Sequence, residues 1–223
     1  VIPKNIHYIV FKLKNLELLQ GNEVTDIDEK GRMFAGCQLK TIILPKLRKI
    51  GRDAFAGSKQ LEKISVPMAT TVGESAFFGC SSLKEIKLPN ATTIEESAFA
   101  HCSSLEEIEL TNAVTIGGDA FWSCKSLEKI TLPIVSTIGR LAFRECTNLA
   151  EVIAPKVTKI EYHTFMQCKS LSVGKFAPKC TIDSSAFDAG TDFVLNEQGI
   201  LISKTKLAAA GLRSAVAAAA PQT

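Results

Sequence analysis

The chain has 223 residues, 46% apolar and 22% charged, a balance that fits a globular protein and excludes a disordered or fibrous one. Its net charge of +3 is small, and the acidic and basic residues are interleaved, which leaves no basic face for nucleic acid. No apolar run approaches the roughly 18 residues of a membrane-spanning helix. The chain starts at Val1 with neither a methionine nor a signal sequence; it reads as a trimmed or mature fragment, and this decides nothing about compartment.

In chain order, Leu13-x-x-Leu16-x-Leu18 reads as a degenerate strand, set off by an insertion of about four residues around Gln20 to Glu23. A fixed period then takes over. Phe55, Phe77, Phe99, Phe121, Phe143, Phe165 and Phe187 stand 22 residues apart, and Phe34 precedes them one residue out of phase. Such a period marks stacked copies of one structural unit. A complete unit runs Ile94-Glu-Glu-Ser-Ala98-Phe99-Ala-His-Cys102-Ser-Ser-Leu105-Glu-Glu-Ile108-Glu-Leu110. Its Ile-x-Leu ending alternates with period two, which predicts a short strand with one buried face. The proline that often follows (Pro45, Pro67, Pro89, Pro133, Pro155) supplies no N–H and ends the strand. Val72, Ile94, Ile116, Ile138, Ile160 and Ile182 begin the return stretch, just after a threonine ladder (Thr71, Thr93, Thr115, Thr137, Thr181) placed for lateral hydrogen bonding. The unit is too short for a long helix, so strand, turn and brief 3₁₀ pieces are expected.

Counting Phe34 gives eight turns. At about 4.8 Å per turn they form a rod or shallow arc of roughly 35–40 Å with the phenylalanines stacked inside. The last strand is blurred (Ser172-Val-Gly-Lys-Phe176), and Phe193-Val-Leu195 and Ile200-Leu-Ile202 flank Asn196-Glu-Gln-Gly199 as a hairpin that closes the exposed edge. The division is therefore an N-terminal cap (1–26), a solenoid (27–190), a capping hairpin (191–206) and an alanine-rich tail (207–223), either helical or disordered.

The recurring Ala-Phe-x-x-Cys-x-x-Leu-x-x-Ile-x-Leu-Pro framework resembles the BspA-type, or Treponema-type, leucine-rich repeats over about residues 27 to 190. Ser58 for the repeat cysteine, Thr111 for the proline and Thr164 for the alanine depart from it. The resemblance implies a right-handed solenoid, mostly β, with a parallel sheet on its concave side and no catalytic residues. It also implies a secreted or cell-surface protein-interaction module that adheres to a host extracellular or cell-surface protein. The alternative is a cytoplasmic interaction scaffold of a unicellular eukaryote.

Candidate chemistry is sparse. Cys80, Cys102, Cys124, Cys146 and Cys168 form a ladder of one thiol per turn, whereas a metal site needs convergent ligands. The ladder reads as small buried residues whose thiols meet backbone carbonyls. Cys180 stands outside it and is expected to be the most reactive thiol. His101 and His163 have no repeated acidic or cysteine partner and read as solvated. No catalytic, cofactor-binding or metal-binding residue is expected, and no cofactor.

Two surfaces remain for a partner. The outward strand positions include Glu85, Lys87, Glu107, Glu109 and Lys129, with stacked pairs Lys63–Glu85, Lys87–Glu109, Glu107–Lys129 and Lys129–Glu151 expected. That face reads either as self-neutralised and solvated or as a binding face for a mixed-charge protein. Phe78, Trp122 and Met166 follow the repeat phenylalanine on alternate turns, either folded over the core edge or exposed as an interface row.

Overall fold

The computed structural model describes residues 17–27, 32–191 and 193–203. Leu13, Leu16 and the alanine-rich tail lie outside the described residues. Each turn carries a three-residue and a two-residue strand: β1 (Leu18–Gln20), β2 (Asp26–Ile27), β3 (Thr41–Ile43), β4 (Lys49–Ile50), β5 (Lys63–Ser65), β6 (Thr71–Val72), β7 (Glu85–Lys87), β8 (Thr93–Ile94), β9 (Glu107–Glu109) and β10 (Thr115–Ile116). The series continues with β11 (Lys129–Thr131), β12 (Thr137–Ile138), β13 (Glu151–Ile153), β14 (Lys159–Ile160), β15 (Val173–Lys175) and β16 (Thr181–Ile182). The hairpin strands β17 (Phe193–Leu195) and β18 (Ile200–Ser203) close the array.

The longer strands form two parallel stacks on the concave side, β1-β3-β5-β7-β9 and β11-β13-β15, with β18 and β17 added antiparallel to the second. The shorter strands form a second wall, β2 to β12, followed by the pair β14 and β16. Regular turns number about seven rather than eight. The last phenylalanine, Phe187, is only partly buried and is followed by the hairpin, not by another strand pair in register.

The N-terminal strand is also shifted from expectation. In β1, Leu19 pairs with Ile42 and Leu18 points outward, 49% exposed. The turn is therefore one residue longer than the repeat, and no four-residue insertion is needed. Leucines at closely spaced positions permit two registers, and a period-two strand shifted by one residue exchanges its faces.

The third side of each turn is neither strand nor 3₁₀ helix. It is a chain of turns bonded to the next copy: in one turn Asp53, Phe55 and Gly57 N–H groups donate to the carbonyls of Glu74, Ala76 and Phe78. The segment is bracketed by residues with positive φ, as at Ser97 (56°) and His101 (62°) around Ala98-Phe99-Ala100. These left-handed corners fold the Ala-Phe pair inward.

Inside, Phe34 through Phe165 are at most 1% exposed and stack with centroids 5.1–5.6 Å apart and planes within 9°. Beside this spine, each ladder thiol donates to the carbonyl of the preceding turn's phenylalanine, as Cys124 Sγ to Phe99 O at 3.1 Å. Ser58 performs the same role with its hydroxyl, 2.7 Å from Phe34 O.

The blurred strand has a purpose at the C-terminal cap. Gly174 replaces the inward Ile or Val, and a Cβ there would come within 2.9 Å of both Leu201 and Phe176. Leu201, 3% exposed, fills the core from the antiparallel partner instead. Gly199, with φ of 75°, sits against the Phe176 and Ala177 carbonyls where no side chain fits.

Candidate functional site

The solenoid brings the outward strand residues onto one face, but their pairing differs from expectation. Lys129 Nζ meets Glu151 Oε2 at 2.7 Å, as expected. Lys87 Nζ instead pairs with Glu85 on its own strand at 3.2 Å, and that hydrogen bond, with Glu85's charge, raises the lysine's pKa. Glu85 lies directly opposite Glu107, a like-charge contact. Among the described residues no ion pair joins Glu107 to Lys129.

The last difference has a backbone cause. The concave sheet is interrupted between β9 and β11. One turn further on, the Ala150 N–H donates to Glu128 O at 2.8 Å and the Leu132 N–H to Ile153 O at 2.7 Å. The equivalent bonds, from Glu128 to Glu106 and from Leu110 to Thr131, are not made. Ile108 is correspondingly part-exposed while Ile86 and Ile130 are buried. A groove of about 650 Å³ opens there, lined by Glu85, Lys87, Glu107, Glu109 and Lys129 together with Glu106, Glu128 and Ile108.

Toward the C-terminus the same face turns apolar. Ile153 is opposite Lys175, and Lys175 opposite Ile200. Because Leu201 is the buried residue of β18, Ile200 and Ile202 point outward with Val194 of β17. Val173 and Ile200 are 45% and 40% exposed. Ile153 and Val173 were readable as apolar residues in a charged column. The hairpin's share was not, because it depends on the antiparallel register that Gly174 permits.

On the second surface Phe78, His101, Trp122 and Arg144 form a continuous seam. Phe78 is 39% exposed, while Trp122 and Met166 are partly buried. His101 fills the interval, edge-on to Phe78 at 5.2 Å and tilted against Trp122 at 4.6 Å. It is thus partly buried between rings, not simply solvated. The Arg144 guanidinium lies 5.7 Å from the Trp122 ring centroid. Trp122 Nε1 is buried without a hydrogen-bond partner, and Arg144 Nε is 3.3 Å from Glu145 but misaligned for hydrogen bonding. The seam thus covers the edge of the core while leaving Phe78 exposed.

All seven cysteines are buried and free. Burial pushes Cys80 up to about 12 and raises Cys102, Cys124, Cys146 and Cys168 as well. Cys180, expected to be reactive, is 8% exposed and burial raises it to about 11, so it holds little thiolate at neutral pH. Among the described residues no group of three His, Cys, Asp or Glu could hold a metal ion, and no helix is long and apolar enough to cross a membrane.

Stacked parallel strands, a leucine and phenylalanine core and an open concave sheet define a leucine-rich repeat solenoid. The chain belongs to the BspA-type leucine-rich repeat family, whose repeat region it matches in six copies over residues 1–124 and 114–197. No curated protein gives a match. Among solved structures, a leucine-rich repeat protein from Bacteroides ovatus is 28% identical over 75% of this chain and 50% of its own, with a TM-score of 0.57. The chain thus spans half of that protein's length. The Treponema pallidum leucine-rich repeat protein is also 28% identical, over 75% and 73% of the two chains, with a TM-score of 0.50. A leucine-rich cell surface protein from Faecalibacterium prausnitzii shares the fold at 20% identity, covering 78% and 67%, with a TM-score of 0.53.

Proposed function

We propose that this chain is a non-catalytic protein-binding module of a secreted or cell-surface protein, and that its concave strand face is the binding surface. One observation carries this reading: a rigid stack exposes, on a single face, a widened groove at β9–β11 that continues into uncovered aliphatic residues at β15 and β18. A partner engaging several turns at once would sum many weak contacts without ordering cost on this side. The Faecalibacterium protein's place at the cell surface supports the location by analogy of fold alone. Adhesion to a host extracellular or surface protein is the role that fits, with Glu85, Lys87, Glu107, Glu109 and Lys129 as contact residues.

A second reading places the partner on the row of Phe78, Trp122 and Met166, favoured by the exposure of Phe78. Paired variants separate the two. On the concave reading, Glu107→Lys with Glu109→Lys weakens binding of a surface partner at least about tenfold, while Phe78→Ala leaves it within about twofold; the reverse pattern moves the site to the seam. The gene upstream of Val1 tests the location, with a secretion signal expected and its absence contradicting a surface role.

A further inference from the structure

Resting on the reading of the concave face as a protein-binding surface, we infer that its partner presents an extended segment with cationic side chains at one end and an aliphatic anchor at the other. Charge selects the first feature. Glu106, Glu107, Glu109 and Glu128 line the groove without an ion pair among the described residues, and Glu109 accepts a hydrogen bond from the Thr111 hydroxyl at 3.4 Å. The groove's two lysines do not cancel them: Lys87 is attracted by Glu107 and Glu109 as well as paired with Glu85, Lys129 is paired with Glu151 outside the lining, and five glutamates of the lining face these two lysines. On a chain of net charge +3 this is a local negative field, which repels phosphate backbones and attracts a lysine- or arginine-bearing partner.

The second feature comes from the apolar end, where Val173 and Ile200 are exposed and the partly buried Ile202 points to the same face. Aliphatic patches accept leucine, isoleucine or methionine side chains and offer no ring for a sugar to stack on. From β9 through β11, β13 and β15 to β18 is about four strand spacings, or roughly 19 Å. A strand-like segment rises about 3.3 Å per residue, so roughly six residues laid across the strands bridge the two regions.

The test is selection of a random-peptide library displayed on phage against the whole chain, with selected peptides measured by titration against three proteins: the unchanged chain, Glu107→Lys/Glu109→Lys and Ile200→Asp. All substituted positions are exposed, and circular dichroism of each variant verifies folding. The inference predicts peptides pairing Lys or Arg with aliphatic residues four to six positions away, binding at least about tenfold more weakly to either variant and losing affinity as salt rises. Peptides that depend on the concave variants but are acidic or uncharged overturn the inference and leave the concave reading standing. Peptides indifferent to all the variants overturn both. A dimer of the unchanged chain in sedimentation, abolished by the charge reversal, makes a second copy the occupant and likewise overturns it.

Discussion

Replacing Phe121 by alanine removes the middle of the aromatic spine. The ring is fully buried and stacks on Phe99 at 5.4 Å and Phe143 at 5.3 Å. A phenylalanine buries about 150–250 Å², worth roughly 4–6 kcal/mol at about 25 cal/mol per Å². Alanine retains part of that burial, while each lost ring stack adds about 0.5–1.5 kcal/mol. The void collapses poorly, because its walls are backbone arcs bonded turn to turn on either side. A net loss of about 3–5 kcal/mol follows, in line with buried aromatic truncations generally. For a domain of this size, at about 2 °C per kcal/mol, that corresponds to a fall of roughly 6–11 °C in the unfolding midpoint. Phe187→Ala, at the partly exposed end of the spine, should cost about half as much. Thermal unfolding followed by circular dichroism measures both. A midpoint lowered by less than about 3 °C for Phe121→Ala would refute the spine as the main source of stability.

Three further outcomes are expected. Cys124→Ser should stay within about 1 kcal/mol of the unchanged chain because Ser58 already serves that position, whereas Cys124→Ala loses the bond to Phe99 O and costs about 1–2 kcal/mol; denaturant midpoints compare them. Stability should fall as pH rises from about 9 toward 12. The folded state raises the thiols' pKa, so the unfolded chain releases protons first, at up to about 1.4 kcal/mol per pH unit per thiol; a midpoint unchanged between pH 8.5 and 10 would contradict this. Gly199→Ala should undock the hairpin, adding about 1–2 kcal/mol of left-handed strain to a backbone clash with Ala177 O at 2.7 Å, read as lost protection of the Phe176 amide, which donates to Gly199 O at 2.8 Å.

Much of the interior was legible because one residue type at one period has one environment. Phenylalanine, cysteine, leucine and isoleucine return to the same buried place in every turn, and Ser58 could be read as the cysteine's substitute. Legibility failed where a choice lay between near-equal partners. Lys87 has Glu85 beside it and Glu109 opposite, and side-chain rotamers rather than register decide between them. The positions of Leu13, Leu16 and Leu18 allow two registers, so the inward residue of β1 was misplaced. Cys180 stands outside the ladder, yet it is buried all the same. The opening between β9 and β11 falls at the unit that carries Thr111 in place of the strand-ending proline. That exchange marks the unit as a departure from the framework, but it does not by itself announce a local loss of backbone pairing.

The most direct test of the binding account is hydrogen exchange on the chain bound to a selected peptide. Protection confined to residues 85–87, 107–109, 129–131, 151–153, 173–175 and 200–202 is the predicted result. Protection over Phe78, His101 and Trp122, with those strands unchanged, would contradict it.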